Sequence, residues 1–237
     1  MKIRIDKMLS NIGLGSRSQI KIDAKSGCIK INGIIEKNSS RIVDTEKDEV
    51  NYKNNTVKYI QYIYLMMNKP QGVVSATEDN YDKTVVDLLD EKDKFYSPFP
   101  VGRLDKDTEG LLILTNDGVL NHNLLSPKKH VDKTYYAEVD GEVTEEDVKL
   151  FEEGILLINE NYKTLPADLK IIESGQESKC YVTVREGKFH QVKRMFLAVG
   201  KEVKYLKRIS MGAIDLDETL ELGAYRHLTE EELKKLM

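Results

Sequence analysis

Cysteine and histidine are sparse in this chain, which has two cysteines and four histidines among its 237 residues. Cys28 and Cys180 lie far apart and form no CxxC pair, so we expect two reduced thiols, as in a cytoplasmic protein. The histidines, at positions 122, 130, 190 and 227, have no metal-ligand spacing. A P-loop, a dinucleotide fingerprint and an HExxH motif are also absent. The sequence therefore indicates no metal centre and no common nucleotide-cofactor site.

Long apolar runs are missing as well. No run approaches the roughly 18 residues that a membrane-spanning helix needs. The first residues lack the apolar core of a signal peptide. We therefore expect a cytoplasmic protein with no contact to a membrane.

The net charge of −4 argues against a general nucleic-acid-binding protein, but the charges are unevenly distributed. Residues 1–41 carry nine basic and three acidic side chains, a net charge of +6. Residues 185–208 carry eight basic and two acidic side chains, again +6, whereas residues 138–160 carry nine acids and one lysine, or −8. Two basic regions and an acidic one predict a directional surface that faces a polyanion.

The N-terminal segment predicts two helices. The first has apolar residues at helical spacing and ends at the glycines of 13–15; its apolar positions are Ile5, Met8, Leu9 and Ile12. The second, predicted over about 17–25 after a capping Ser16, places three cations on one face: Arg17, Lys21 and Lys25. Because a charged helix face is often only a solvated surface, these charges alone leave RNA binding and simple exposure both open.

A hairpin follows the second helix. Residues 28–31 and 34–35 are apolar-rich strands, and Asn32-Gly33 between them is typical of a type I′ turn. Helix, turn, basic helix and hairpin together resemble the S4-type RNA-binding domain. That resemblance implies binding of structured RNA through phosphates and shape, but it specifies no reaction.

Residues 99–118 are the most informative stretch of the remaining chain, because a polar loop there opens directly onto an apolar run. Arg103 and Asp105 lie in the loop, and residues 111–115 have the length and flanking turns of a buried strand. A carboxylate held beside a core strand is positioned as catalysis requires. An aspartate in a glycine-flanked loop is more often a turn residue or a helix cap, so the loop alone does not decide its function.

A second basic helix is predicted over 189–200. Its apolar stripe is expected to face the core and consists of Phe189, Val192, Met195, Phe196 and Val199. His190, Lys193 and Arg194 lie on the other side. By itself, this pattern is most often a solvated surface helix.

Four segments together resemble the pseudouridine synthases, and within them the RsuA-type branch. They are residues 65–72, 102–112, 133–135 and 186–195, with the sequences LMMNKPQG, GRLDKDTEGLL, KTY and EGKFHQVKRM. They occur in the family's order behind an S4-like domain, and the match spans nearly the whole chain. The GRLD segment is highly specific, whereas KTY alone would be weak. Lys193 stands where many relatives have arginine, and the positive charge is kept.

The resemblance implies an α+β architecture. We expect a small S4-like domain over 1–45, a linker over 46–60, and a catalytic domain over 61–237 with flanking helices, a mixed, mainly antiparallel sheet and an RNA cleft across it. The implied reaction isomerises a uridine in RNA: the N1–C1′ bond breaks, the uracil turns while bound, and C5 bonds to C1′. This reaction needs no metal, organic cofactor or energy source, so no cofactor is expected.

The resemblance also implies three catalytic residues. Asp105 is the essential carboxylate, which either attacks C1′ or removes the C2′ proton. Tyr135 offers a ring for the uracil and a phenolic oxygen near C5, and Lys193 is the counter-charge that holds Asp105 ionised. We interpret Asp107, the rival carboxylate of the loop, as a loop-stabilising residue.

Further residues are expected to contact RNA. Arg103 is placed to bind phosphate or to fill the gap left by the flipped uridine. The other predicted RNA contacts are Arg17, Lys21, Lys25, Lys69, His190, Gln191 and Arg194.

The expected substrate is small-subunit ribosomal RNA, because residues 188–196 look most like that subgroup, and family resemblance indicates uridine 516 of 16S rRNA. A sister enzyme acting on 23S rRNA is the first alternative. A non-catalytic RNA-binding assembly factor is the second, and the intact Asp105, Tyr135 and Lys193 argue against it. A glycosidase using Asp105 and Asp107 is disfavoured, because residues two apart on a turn rarely flank a sugar. We expect a monomer that acts on a small-subunit assembly intermediate.

Overall fold

The computed structural model describes residues 1–126, 129–157 and 161–236. The chain divides into two compact units: Met1–Ile63 with Glu91–Ser97, and Tyr64–Asp90 with Pro98–Met237. Within the described ranges, no helix is long and apolar enough to cross a membrane.

The first unit contains two sheets and three helices among the described residues. Its elements are β1 (Lys2–Arg4), α1 (Ile5–Asn11), α2 (Arg17–Lys25), β2 (Ile29–Ile31), β3 (Ile34–Ile35), β4 (Ile42–Asp44), β5 (Val50–Tyr52), β6 (Asn55–Val57) and, from the later segment, α3 (Glu91–Lys94). Strand β1 pairs with β4, and the larger sheet has the antiparallel order β3-β2-β5-β6. The predicted hairpin is confirmed, since Asn32 and Gly33 both have positive φ angles. Ser16 caps α2 by accepting a hydrogen bond from the Gln19 amide, as predicted.

The linker predicted over 46–60 was wrong, because β5 and β6 lie inside it and belong to the sheet of the first unit. Val50 and Tyr52 are buried in the core, and the Tyr52 hydroxyl donates to the Asp23 carboxylate. The polar residues around them form the turns on either side of a short strand. The division between the units, after Ile63, falls three residues beyond the predicted start of the second domain.

The second unit is built on one large sheet. Its elements are β7 (Tyr64–Lys69), a 3₁₀ turn (Val86–Leu88), β8 (Phe99–Pro100), β9 (Glu109–Thr115), α4 (Gly118–Leu125), β10 (Lys133–Asp140), α5 (Glu145–Glu153), β11 (Leu156–Leu157), β12 (Tyr162–Lys163), β13 (Asp168–Glu173), β14 (Glu177–Val184), α6 (Gln191–Ala198), β15 (Glu202–Met211), β16 (Ile214–Asp215), β17 (Tyr225–His227) and α7 (Glu230–Leu236). The sheet order is β13-β14-β10-β15-β9-β7-β17, with β16 added to β15 and β8 to β9. Strands β15 and β9 run parallel, and the other pairs are antiparallel. This confirms the predicted α+β class with a mixed, mainly antiparallel sheet.

Two apolar clusters hold the helices of this unit against the sheet. Phe151 of α5 and Phe196 of α6 pack in one cluster with β10 and β14, their ring centroids 5.0 Å apart. Leu120 of α4 and Leu236 of α7 pack in the other cluster with β7 and β9. Helix α4 begins after Asp117, because the Asp117 side chain accepts hydrogen bonds from the first free amides of the helix.

A glycine is required where the parallel pair meets. Gly110 of β9 has φ of +101°, and a Cβ on it would lie 2.2 Å from the carbonyl oxygen of Arg208 on β15. No side chain fits in that space, so β9 and β15 approach as closely as they do because residue 110 is glycine.

Helix α6 starts two residues later than the apolar stripe predicts. His190 is its N-cap and adopts a left-handed backbone conformation with φ of 48°, so the chain turns before the helix begins. Phe189 therefore leaves the stripe and is 75% exposed, which makes its predicted place in the core wrong. Val192, Met195 and Phe196 are buried as predicted.

Candidate active site

The Asp105 loop, residues 101–108 between β8 and β9, is anchored by a buried lysine. Lys69, the last residue of β7, is fully buried. Its Nζ donates to the carbonyl oxygens of Pro70 at 3.0 Å, Asp105 at 3.0 Å and Thr108 at 2.9 Å, and it lies 3.4 Å from that of Lys106. The prediction that Lys69 contacts RNA was wrong, because every one of these bonds is internal.

Further bonds attach the same loop to the segment after β7. The Ser75 hydroxyl donates to the Leu104 carbonyl at 2.9 Å and accepts from the Leu104 amide at 3.0 Å, and the Gly72 amide donates to the Lys106 carbonyl at 2.8 Å. Burial lowers the pKa of Lys69 to about 8, although the negative charge of Asp105 acts in the opposite direction. The backbone around Asp105 is therefore held in place by two side chains, those of Lys69 and Ser75.

Two side chains from the start of α6 face the Asp105 carboxylate. His190 Nε2 lies 3.5 Å from Asp105 Oδ1, and Lys193 Nζ lies 3.7 Å from Asp105 Oδ2. Lys193 approaches Asp107 more closely, at 2.5 Å from Oδ1. Burial acts to raise the pKa of Asp107, but the hydrogen bond from Lys193 and the positive charge of that lysine act together in the opposite direction, and the pKa lies below its usual range. The structure thus places Lys193 beside Asp105, at the position expected for the predicted counter-charge, and it adds His190, which the sequence predicted only as an RNA contact.

A buried amide fixes the turn before α6. Gln191 is 5% exposed; its Nε2 donates to Glu186 Oε1 at 2.8 Å, and its Oε1 accepts from the Lys188 amide at 3.0 Å. Glu186 also accepts from the Tyr162 hydroxyl, and this bond together with burial raises the pKa of Tyr162 to about 12. The prediction that Gln191 contacts RNA was wrong, because both ends of its amide are used inside the protein.

One row of residues runs across the sheet from the anchor to Tyr135. Tyr135 on β10 pairs with Arg208 on β15, Arg208 pairs with Gly110 on β9, and Gly110 pairs with Lys69 on β7. Adjacent strands are about 4.8 Å apart, so Tyr135 lies two strands, or roughly 10 Å, from the strand that follows the Asp105 loop. Tyr135 is half-buried and packs against the cluster of α5 and α6.

Buried positive charge lies along this row. Arg208 is 2% exposed; its Nε donates to the Leu111 carbonyl at 2.8 Å, and its Nη2 has no hydrogen-bond partner in the part of the chain that the structure describes. Lys133 is also buried, and its pKa is lowered by burial and by the charge of Arg208. The half-buried Tyr135 therefore pairs with one buried cation, Arg208, and lies two positions along β10 from another, Lys133.

The remaining predicted RNA contacts lie at several places. Arg103 is exposed in the Asp105 loop, and the half-buried Arg194 donates from Nη1 to the Phe189 carbonyl at 2.8 Å. In the first unit, α2 presents exposed side chains, of which Arg17 lies 3.1 Å from Asp6; the others are Lys21 and Lys25. These positions are consistent with RNA binding and leave the roles as predictions.

Sequence reasoning missed the internal roles of Lys69, Gln191 and Arg208. Lysine, glutamine and arginine side chains are mostly exposed in proteins, so exposure was the usual expectation for each of them. One local signal was available for Lys69, since it follows five strand residues that are buried or half-buried. For Gln191 and Arg208 we see no signal within a few residues.

Comparison with known proteins matches both units. Residues 63–198, more than half of the chain, match the family model described as RNA pseudouridylate synthase, and residues 3–50 match the S4 domain. The chain is 52% identical to the uncharacterized RNA pseudouridine synthase YtzG of Bacillus subtilis, over 99% of this chain and 98% of that protein. It is 39% identical to ribosomal small subunit pseudouridine synthase A of Vibrio cholerae, over 99% of each.

A solved structure agrees with these matches. A crystal structure of pseudouridylate synthase has a TM-score of 0.70 and 38% identity, covering 99% of this chain and all of that one. The chain therefore belongs to the pseudouridine synthase family, in the RsuA-type branch with an N-terminal S4 domain, and is an enzyme of that family.

Proposed function

We propose that this chain converts one uridine of small-subunit ribosomal RNA to pseudouridine, with Asp105 as the essential carboxylate. By family resemblance the target is uridine 516 of 16S rRNA. The observation that carries the proposal is the anchored Asp105 carboxylate, faced by His190 at 3.5 Å and Lys193 at 3.7 Å. The relative from Vibrio cholerae, named for the small subunit, supports the choice of substrate.

The reaction is an isomerisation. The N1–C1′ bond breaks, the uracil turns in place, C5 bonds to C1′, and the proton on C5 is lost while N1 gains one. Because the uridine lies within folded RNA, it must be flipped out of its stack to reach the carboxylate. Asp105 then either attacks C1′ as a nucleophile or removes the C2′ proton as a base.

The protein's contribution in either route is to position charge. Lys69 and Ser75 hold the loop from inside, so little reorganisation is needed when the substrate arrives. Lys193, with its Nζ 3.7 Å from Asp105 Oδ2, is proposed as the counter-charge of that carboxylate. Tyr135 is proposed to receive the uracil ring and to remove the C5 proton, and the exposed Arg103 is proposed to bind phosphate or to occupy the gap in the stack.

The partner that we propose is a small-subunit assembly intermediate, which the chain modifies as a monomer in the cytoplasm. Arg17, Lys21 and Lys25 of α2 would bind RNA phosphates. His190 and Arg194 would contact the RNA near the reacting nucleotide.

The test uses purified protein with in vitro transcribed small- and large-subunit rRNA, mapping pseudouridine by carbodiimide labelling and primer extension. Wild type should give one new stop in small-subunit RNA. Asp105→Asn should lower kcat by about 10⁴-fold or more. Asp107→Asn should keep kcat within about tenfold, because Asp107 is 68% exposed and reaches Lys193 rather than the substrate. Asp215→Asn, at an exposed position on β16, is the matched control.

Each other outcome has a definite meaning. A stop in large-subunit RNA alone would keep the chemistry and overturn the substrate. Asp105→Asn with wild-type kcat would remove the proposed catalytic role. If neither RNA, free or bound to ribosomal proteins, is modified while it still binds, the chain is an RNA-binding assembly factor instead.

A further inference from the structure

Phe189 is an exposed aromatic ring next to the proposed reaction centre. It is 75% exposed and lies outside α6, because the left-handed turn at His190 separates it from the apolar stripe. Exposure of a phenylalanine ring to water is unfavourable, and an exposed ring adds no packing to the core. A ring in this position therefore calls for a ligand that would cover it.

The ring already forms half of an aromatic stack. The Phe189 and His190 rings are stacked with centroids 3.7 Å apart and an interplanar angle of 19°. One face of Phe189 rests on the imidazole, and its exposure leaves the other face accessible. This is the geometry in which a third flat ring extends a stack.

The backbone beneath the stack is held in place. Arg194 Nη1 donates to the Phe189 carbonyl at 2.8 Å, and the Gln191 side chain accepts from the Lys188 amide at 3.0 Å. Gln191 is itself bonded to Glu186 at 2.8 Å. Because these bonds fix the chain on both sides of Phe189, little backbone entropy is lost when a ligand binds the ring.

The position and the charge of the stack identify the ligand class. His190 Nε2, at the inner side of the stack, lies 3.5 Å from Asp105 Oδ1. Residues 187–194 contain three basic side chains and no acidic one, the basic residues being Lys188, Lys193 and Arg194. An aromatic face within a cationic segment is typical of sites that bind single-stranded nucleic acid, where bases stack and phosphates pair with the cations.

We propose that the Phe189–His190 stack is a binding platform for a nucleobase adjacent to the target uridine. When the uridine leaves the RNA stack, a neighbouring base loses its stacking partner, and Phe189 replaces it. This inference rests on the proposed function, because it needs an RNA substrate with a flipped uridine. It assigns to Phe189 a role in substrate binding and none in bond making.

Steady-state kinetics on an rRNA fragment provide the first measurement. Phe189→Ala should raise KM by about 5- to 100-fold, the range expected for one lost base–aromatic stack, with kcat changed less. Phe189→Tyr should restore KM to within about threefold, because the flat face is kept. Leu197→Ala removes a 67% exposed apolar side chain from α6, the helix that follows Phe189, and should leave both constants unchanged.

Abasic RNA separates stacking from any general weakening. A set of fragments, each lacking one base within two nucleotides of the target, is compared on wild type and Phe189→Ala. For one fragment, removal of the base should raise the KM of wild type by as much as the Phe189→Ala substitution raises it on the intact fragment. Removal of the same base should raise the KM of the variant almost no further.

A fluorescent reporter tests the contact directly, since the chain contains no tryptophan. The substitution Phe189→Trp introduces a single indole at the platform, and a base stacked on it should quench its emission when the RNA fragment is added. Tyr81→Trp, at a 96% exposed position, is the control and should respond weakly.

The results that overturn the platform differ from those that overturn the function. If wild type forms pseudouridine but Phe189→Ala keeps KM within twofold, the platform is refuted and the function stands. The same conclusion follows if each abasic fragment raises the KM of the variant as much as it raises that of wild type. Absence of quenching in an active Phe189→Trp protein refutes it as well. If wild type modifies no rRNA at all, the proposed function itself fails.

Discussion

Replacing Lys69 with methionine removes the anchor of the Asp105 loop while keeping a long, unbranched side chain in the buried position. The ammonium is fully buried and donates to three carbonyl oxygens at 3.0 Å or less: those of Pro70, Asp105 and Thr108. After the substitution these carbonyls face a thioether that donates no hydrogen bond. Two of the three belong to the loop that carries the proposed catalytic carboxylate.

The expected loss of stability is the difference between two opposing effects. A hydrogen bond from a charged donor contributes roughly 1.5–3 kcal/mol, so three contribute roughly 4.5–9 kcal/mol. Against this, burial lowers the pKa of Lys69 from 10.5 to about 8, which corresponds to about 3 kcal/mol of penalty for keeping the charged form inside. We therefore expect Lys69→Met to lower the free energy of unfolding by roughly 1.5–6 kcal/mol.

Urea denaturation at pH 7 followed by circular dichroism measures this loss, and the pseudouridine assay measures its consequence. A displacement of about 1 Å in a catalytic group costs about 10²-fold in rate, so kcat of the folded variant should fall by about that factor. Lys170→Met, at an exposed position on β13, is the matched control and should change neither quantity.

The reasoning is refuted if Lys69→Met unfolds within about 0.5 kcal/mol of wild type, roughly the scatter expected at a surface site. It is refuted in a different way if the variant is destabilised but keeps wild-type kcat at a temperature where it is folded. That second result would mean that Ser75 and the neighbouring backbone hold the Asp105 loop without Lys69.

Two further predictions concern the sheet and the last helix. Gly110→Ala should cost about 3 kcal/mol or more in urea unfolding, because the new Cβ would lie 2.2 Å from the Arg208 carbonyl oxygen. Gly200→Ala, also at positive φ but in open space, should cost only about 1 kcal/mol, and equal losses would contradict the steric argument. The hydrogen bond from Arg226 lowers the pKa of Glu232 to about 2, so its stabilisation is complete above about pH 5 and is lost as the pH falls to about 2. Glu232→Gln should therefore be less stable than wild type by about 1 kcal/mol at pH 7, and the difference should disappear near pH 2; a difference that stays constant with pH would contradict this.

Much of the local structure was predictable from sequence. The Asn32-Gly33 hairpin and the Ser16 cap of α2 are both found where they were expected. Turn residues and caps act through bonds to backbone groups within about four positions, so the information they carry is complete in a short stretch. The proximity of Lys193 to Asp105 was also expected, but from family resemblance rather than from any local pattern, and the proximity of His190 was not expected.

Errors occurred where burial depends on a partner far along the chain. The polar flanks of Val50–Tyr52 predict a linker, but these flanks are turns. The strand between them pairs with β2 some twenty residues upstream, and no local pattern shows that pairing. The apolar stripe predicts a buried Phe189. This prediction fails because His190 turns the backbone before the helix starts, and helical spacing alone does not show that turn.

The sequence by itself therefore determined the caps, the turns, the helical faces and the motif order that identifies the family. Tertiary structure decided which polar side chains are internal. Lys69 and the Asp105 carbonyl are 36 residues apart, and their hydrogen bond forms only because β7 and β9 are neighbours in the sheet. Burial of a charged group is favourable only when distant backbone acceptors converge on it, and that convergence is a property of the folded chain.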